Sequence, residues 1–127
     1  MPSTSFTVAV LDDEPNMRKA LRRLLGANGY RVKDYERGEE FLAALPEHPA
    51  DCVVLDLHMP GMSGFDVLAA FKSSNNATPV VIITAHNEPG TAERTRALGA
   101  SAFLTKPVDK ATLLRAVEST ISSHRSS

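Results

Sequence analysis

The sequence predicts an α/β fold in which five parallel strands alternate with five helices in a doubly wound sheet. Three observations lead there. Val53-Val54-Leu55 and Val80-Val81-Ile82-Ile83 are unbroken apolar runs, the pattern of strands buried on both faces. Segments of this kind alternate along the chain with segments whose apolar residues recur at helical spacing. Four strand segments run out on polar residues, at Asp12-Asp13, Asp56, Thr84 and Lys106.

In chain order, Phe6–Leu11 predicts β1, closed by Asp12-Asp13-Glu14. Pro15 suits the first turn of α1 and the acids suit its positive end. Met17, Ala20, Leu21, Leu24 and Leu25 give that helix its apolar stripe, and Asn28-Gly29 stops it. Tyr30–Tyr35 alternates and predicts β2, a strand nearer an edge. Glu39–Leu45 predicts α2, with Phe41, Leu42 and Leu45 inward, before a loop bracketed by Pro46 and Pro49. Asp51–Leu55 predicts β3, with Asp56 at its carboxyl end and a turn forced by Pro60-Gly61. Ser63 and Asp66 have the spacing of a capping box and open α3, which runs to about Ser74. Pro79 opens β4, which ends on Thr84. Thr91–Leu98 predicts α4, stopped by Gly99, and Ala100–Leu104 predicts β5. Asp109 caps α5, whose apolar positions are Leu113, Leu114, Val117 and Ile121. The expectation is one domain over residues 1–127, with its core at 6–121 and a tail or linker start at 122–127.

Composition narrows the class. With 127 residues, 43% hydrophobic and 23% charged, the chain has the make-up of an ordinary globular domain with a sizeable core. A formal net charge of −1 gives no general affinity for nucleic acid or anionic membrane. No apolar run reaches the roughly 18 residues of a membrane span. Met1–Ser5 lacks the pattern of a signal peptide, so the expected compartment is the cytoplasm. The single cysteine, Cys52, reads as a small buried hydrophobe.

The polar strand ends carry the chemistry. One interval, from Asp12 to Asp56, fits two strand–helix units; the next two, to Thr84 and Lys106, fit one each. In an open α/β sheet all four therefore meet at the carboxyl rim, where ligands bind. Asp12, Asp13 and Asp56 repel one another and call for a cation, and an all-oxygen set of acids suits Mg²⁺. Lys106 adds a positive charge and Thr84 a hydroxyl. Acid, Mg²⁺, lysine and hydroxyl together suit an anionic phosphoryl group. No Ser, Cys or His holds the centre, so Asp56 is the candidate nucleophile, forming an acyl phosphate. The plainer alternatives are that Asp56 caps a turn and that Asp12 and Asp13 are a charge pair before a helix. Among the histidines, His48 and His124 read as surface residues. His58 and His86 follow Asp56 and Thr84 by two positions each, where they can tune access of water to the site.

Leu11-Asp12-Asp13-Glu14, Asp56 with Met59-Pro60-Gly61-Met62-Ser63-Gly64, Thr84-Ala85 and Lys106-Pro107 together resemble the receiver domain of bacterial response regulators. The resemblance covers about Phe6 to Ile121, and the His58–Gly64 run is most similar to receivers of the FixJ type. It implies a CheY-like, flavodoxin-like (βα)5 fold with strand order 2-1-3-4-5. It implies that Asp56 is the phosphoacceptor, that Asp13 binds Mg²⁺ directly and Asp12 mainly through water, and that the backbone carbonyl of His58 is a further metal ligand. Thr84 and Lys106 match the pair that binds the phosphoryl oxygens, and Phe103 the aromatic switch residue. The implied partner is a sensor histidine kinase. The implied output is a change in the α4–β5–α5 face, with a phosphorylation-dependent homodimer there and DNA reached only through a separate effector domain. Glu93, Arg94 and Arg96 on α4, with Lys110 on α5, offer charges for that contact. On this reading the domain is not an enzyme but a phosphoacceptor that assists its own phosphorylation and dephosphorylation. The alternatives are a Mg²⁺-dependent phosphohydrolase with an aspartyl-phosphate intermediate and a phosphate-independent scaffold. The first usually has a second acid where His58 stands.

Overall fold

Both apolar strand runs lie deep in the sheet. A computed structural model describes residues 6–126; Met1–Ser5, read above for a leader pattern, and Ser127 lie outside the described residues. The element order is β1 (Thr7–Leu11), α1 (Pro15–Ala27), β2 (Arg31–Tyr35), α2 (Gly38–Ala44), β3 (Cys52–Asp56), α3 (Gly64–Ser73), β4 (Val80–Thr84), α4 (Thr91–Ala97), β5 (Ala102–Thr105) and α5 (Lys110–Ser126). The sheet is parallel with order β2-β1-β3-β4-β5, as expected. All five residues of β3 and of β4 are buried, whereas none of the alternating strand β2, at the edge, is fully buried.

Period-two alternation sends the strand side chains into two cores. Ala9, Leu11, Val53, Leu55, Val80 and Ile82 pack with Phe41 of α2 and Val67, Leu68 and Phe71 of α3. Val8, Val10, Cys52, Val54, Val81 and Ile83 pack on the other side with Leu21 and Leu25 of α1 and Leu113, Val117 and Ile121 of α5. Each large aliphatic side chain so buried stabilises the fold by about 1.5–3 kcal/mol. Cys52 is fully buried, with Sγ 3.5 Å from Thr120 Oγ1, and burial pushes its thiol up to about 11. It is a protonated core residue at neutral pH.

Several boundaries differ from expectation. β5 starts at Ala102, because Ala100 still closes the turn after α4, its N–H donating to Thr95 O, and Ser101 N–H then makes the first bond across to Val80 O of β4. The tail expected from Ser122 is instead helical, α5 continuing to Ser126, because Ile121 anchors its last turns in the core. The acids before α1 do not cap it as a group. Glu14 holds the N-cap position without a side-chain cap bond, and only Asp12 turns back, its Oδ1 accepting from Glu14 N–H at 2.9 Å. The capping box of α3 is present, with Ser63 and Asp66 bonded reciprocally. The Asp109 carboxylate accepts from Thr112 N–H at 3.1 Å, as a cap of α5 should.

Gly64, the first residue of α3, is needed for space. A Cβ there would lie 2.7 Å from Leu57 Cα and 2.8 Å from Asp56 O, both backbone atoms. Its N–H donates to Leu57 O at 3.0 Å, fastening α3 directly beneath the end of β3. Gly64→Ala is therefore expected to destabilise the protein by about 1–3 kcal/mol, the usual cost of overpacking against atoms that cannot yield. Urea unfolding of the two proteins measures this, and equal midpoints would show that the seam between β3 and α3 is loose.

Candidate functional site

Strand register alone puts Asp12 beside Asp56. Leu11 pairs with Leu55 across β1 and β3, and each is followed by the aspartate. Asp56 pairs with Ile83 and Thr84 with Thr105, so Thr84 and Lys106 come next along the same rim. Asp12, Asp56 and Thr84 are buried, Asp13 and Lys106 are half-buried, and His58 and His86 are exposed. Carboxylate oxygens of Asp12, Asp13 and Asp56 lie within 4.8 Å of one another.

Lys106 follows the carboxyl end of β5 and reaches across β4 to this cluster. Its Nζ donates to Asp12 Oδ2 at 3.0 Å and lies 3.6 Å from Asp56 Oδ2. Its backbone N–H donates to Thr84 O at 2.7 Å, and the Lys106–Pro107 peptide is cis. Asp56 Oδ1 accepts from His58 N–H at 3.2 Å. Thr84 makes the matching turn: Oγ1 accepts from His86 N–H at 3.1 Å and donates to His86 O at 3.4 Å. Phe103, on β5, is half-buried against the core side that holds α3, beside Leu98 and Ala100.

One ammonium among three acids leaves the site short of positive charge. Burial, then the neighbouring charge of Asp12, raises the Asp56 carboxyl above its ordinary value, partly opposed by Lys106 and the His58 N–H. For Lys106, burial pulls the ammonium down, but the hydrogen bond and charge of Asp12, followed by Asp56 and Glu14, carry it above its ordinary value. Three carboxylates with no sulfur or nitrogen among them are a hard, all-oxygen donor set that fits Mg²⁺.

Two contributors have no clear sequence signal. Arg18 of α1 donates from Nη1 to Asp12 O at 2.8 Å, while its Nε lies 3.3 Å from Asp34 Oδ2. Asp12 N–H donates to Tyr35 O at 3.2 Å, so the acidic loop is held by its backbone from both sides. Only the placement of Arg18 one turn after Pro15 hints at this contact. Similarly, the meeting of the His58 and His86 rings, with centroids 4.5 Å apart, follows from the adjacency of β3 and β4.

The family model for the response regulator receiver domain matches residues 8–118. The chain belongs to that family. Transcriptional regulatory protein FixJ of Bradyrhizobium diazoefficiens is 35% identical over 119 residues, covering 94% of this chain and 58% of that protein. A solved structure of FixJ-N superposes with a TM-score of 0.86 at 32% identity, over 94% of this chain and 96% of the other. Chemotaxis protein CheY4 of Vibrio cholerae gives 0.86 at 28% identity, over 92% and 99%. The chain spans little more than half the length of the FixJ relatives it matches. Receiver domains of this family serve two-component systems, partner with histidine kinases and generally bind Mg²⁺ through acidic residues. No helix among the described residues is long and apolar enough to cross a membrane.

The sign of the Asp56 shift has a consequence for stability. A carboxyl whose value is raised on folding favours the folded state below its unfolded value, and that contribution is lost as pH rises through the folded value. At neutral pH without metal, charged Asp56 is thus a net cost. Asp56→Asn is expected to raise the melting temperature in chelator by about 2–5 °C, the shift from a gain near 1 kcal/mol in a domain of this size. Much of that gain should vanish as the pH is lowered through the carboxylate range. Calorimetry of both proteins across pH checks it, and a lower melting temperature for the variant would mean that Lys106 outweighs burial and Asp12.

Proposed function

We propose that this receiver domain is a phosphorylation switch in which Asp56 takes a phosphoryl group from the phosphohistidine of a sensor kinase. The observation that carries this is Lys106 Nζ set between Asp12 and Asp56 at the buried rim of the sheet. The Asp56 carboxylate attacks phosphorus, the P–N bond breaks, and its electron pair leaves with the kinase imidazole, which takes up a proton. Asp56 then bears an acyl phosphate, and attack of water on phosphorus later returns the carboxylate and inorganic phosphate. Asp12, Asp13 and Asp56, with the His58 carbonyl, are the groups that would hold Mg²⁺, Asp12 mainly through water. Bound there, Mg²⁺ supplies positive charge that offsets the crowding of acids and of phosphoryl oxygens.

Lys106 is within reach of an oxygen on phosphorylated Asp56, and its raised affinity for a proton keeps it cationic for that task. Thr84 contributes its hydroxyl proton by giving up its donor bond to His86 O, and Phe103 moves toward the space behind it. The domain thereby assists its own phosphorylation and dephosphorylation without turning over an external substrate. Incubation with acetyl phosphate and Mg²⁺ is expected to add one phosphoryl group by intact mass, which Asp56→Asn abolishes and Asp13→Ala or chelator largely removes. Equal labelling of the Asp56→Asn protein would sink the assignment, and a rate unchanged by chelator would remove the metal from it.

The output we infer is self-association through α4, β5 and α5, leading in a longer protein to control of transcription through a separate DNA-binding domain, in the cytoplasm. The weak hold on α4 supports this: Thr95 is its one fully buried residue among those described, and Gly90, left-handed at φ 87°, starts it. Arg94 is exposed and lies over Phe65 of α3, its guanidinium 3.9 Å from the ring centre. Glu93, Arg96 and Lys110 are likewise exposed and would serve the two-fold contact. Light scattering at about 100 μM with Mg²⁺ and a beryllofluoride mimic is expected to show a doubled mass, by mass action on the shifted state. An unchanged mass would reject the dimer and leave the phosphoryl chemistry standing.

A further inference from the structure

The loops after β3 and β4 are built alike. In each, the strand-ending side chain accepts from the N–H two residues on, at 3.2 Å for Asp56 and His58 and 3.1 Å for Thr84 and His86. Because β3 and β4 are neighbours in register, the two turns bring a histidine from each loop to the same place. The rings meet edge to face, with centroids 4.5 Å apart and planes at 69°. Both residues are exposed, so core packing does not account for the pairing.

Two exposed imidazoles at this separation are suited to sharing one ion. Metal–nitrogen bonds of about 2.0–2.1 Å in tetrahedral geometry put two ligating rings with their centres on the order of 5 Å apart. The 4.5 Å seen is close to this, and turning one exposed ring out of the edge-to-face contact brings a nitrogen of each to the same ion. Imidazole selects Zn²⁺, Cu²⁺ or Ni²⁺, whereas oxygen donors suit Mg²⁺. The site therefore differs in chemistry from the acid cluster at the strand ends. We propose that His58 and His86 form a two-imidazole site for a borderline transition-metal ion, water completing the coordination. An ion held there ties the loop before α3 to the loop before α4. On the switch reading above, it restrains the segment that has to be remodelled when Asp56 is modified; the coordination itself does not rest on that reading.

Cu²⁺ is the probe, because electron paramagnetic resonance counts its nitrogen ligands. The full chain with one equivalent of Cu²⁺ and excess Mg²⁺ at neutral pH is expected to show hyperfine splitting from two nitrogens. His58→Ala and His86→Ala should each lose one nitrogen and weaken Cu²⁺ binding by about tenfold or more, since losing a ligand costs at least what losing its supporting partner does. His48→Ala should change neither. Circular dichroism shows whether each variant is folded, and both histidine side chains point away from the cores. Oxygen-only coordination, loss of the signal on adding Mg²⁺, or an unchanged two-nitrogen pattern in either single variant would overturn the site. If Asp56 cannot be phosphorylated while the two-nitrogen signal stands, the switch reading fails and the metal site survives.

Discussion

Everything at the carboxyl rim depends on one arrangement of charge: a single ammonium holding two buried carboxylates apart from water. Two like charges about 4 Å apart repel by about 4 kcal/mol at an effective dielectric constant of 20, and only an opposite charge or a proton relieves it. The sheet makes that crowding compulsory. Asp12 and Asp56 stand one step past a pair in register, on strands whose residues are almost wholly buried. Adjacent strands are spaced about 4.8 Å apart, so the two side chains have little room to separate. Lys106 starts on the far side of β4 and reaches them across that strand. A short cation at that position would leave the acids unpaired, and a carboxylate on β4 in place of Thr84 would add another charge. The rim thus has a fixed geometry with three acids to one ammonium, a donor set that fits a hard cation.

The cost of this arrangement is met by the two cores rather than at the rim. The same strands that end in acids bury Val8, Val10, Leu11, Val53, Val54 and Leu55 completely. The acidic loop is further pinned through its backbone, where Arg18 and Tyr35 hold the carbonyl and N–H of Asp12, while its carboxylate takes Glu14 N–H on Oδ1 and Lys106 on Oδ2. Among the described residues no buried side-chain nitrogen or oxygen lacks a partner. Strain at the rim is therefore electrostatic, not a matter of missing hydrogen bonds, and it is the kind of strain a ligand can relieve.

How much of this was legible in the sequence follows from what each signal measures. Unbroken apolar runs marked β3 and β4 as interior, and alternation marked β2 as an edge, because burial acts on each residue separately. The strand-end acids, Thr84 and Lys106 were legible for the same reason: each interrupts an apolar pattern. What required the fold was anything set by two distant segments at once. Gly64 reads as an ordinary residue after a helix cap until Asp56 O and Leu57 Cα are placed beneath it. The pairing of His58 with His86 and the stacking of Arg94 on Phe65 likewise depend on which elements are neighbours. The extension of α5 past Ile121 ran against local propensity, since Ser122, Ser123 and His124 are poor helix formers carried along by an anchored helix.

The two sides of the sheet are not held equally, and on the proposed reading that inequality bears on where a change at Asp56 would travel. Facing α1, the helix α5 buries Leu113, Val117 and Ile121. Helix α4 has Thr95 inside, with Leu98 partly covered, and is further held by Arg94 on Phe65 and by Lys72 Nζ donating to Ala97 O at 3.1 Å. Exposed contacts of this sort contribute only about 0.5–1 kcal/mol each, far less than a buried aliphatic side chain. Thr84 sits at the boundary, its hydroxyl spent on the loop that leads into α4. If that hydroxyl turns to a phosphoryl oxygen, a neutral hydrogen bond of about 1 kcal/mol is exchanged for a charge-assisted one of about 1.5–3 kcal/mol. The difference, about 0.5–2 kcal/mol, corresponds to a shift of roughly twofold to thirtyfold in the balance between two states. That is too little to move α5 and comparable to what holds α4. On the proposed switch reading, the loop after β4 and the helix that follows it are the parts a change of this size is able to shift.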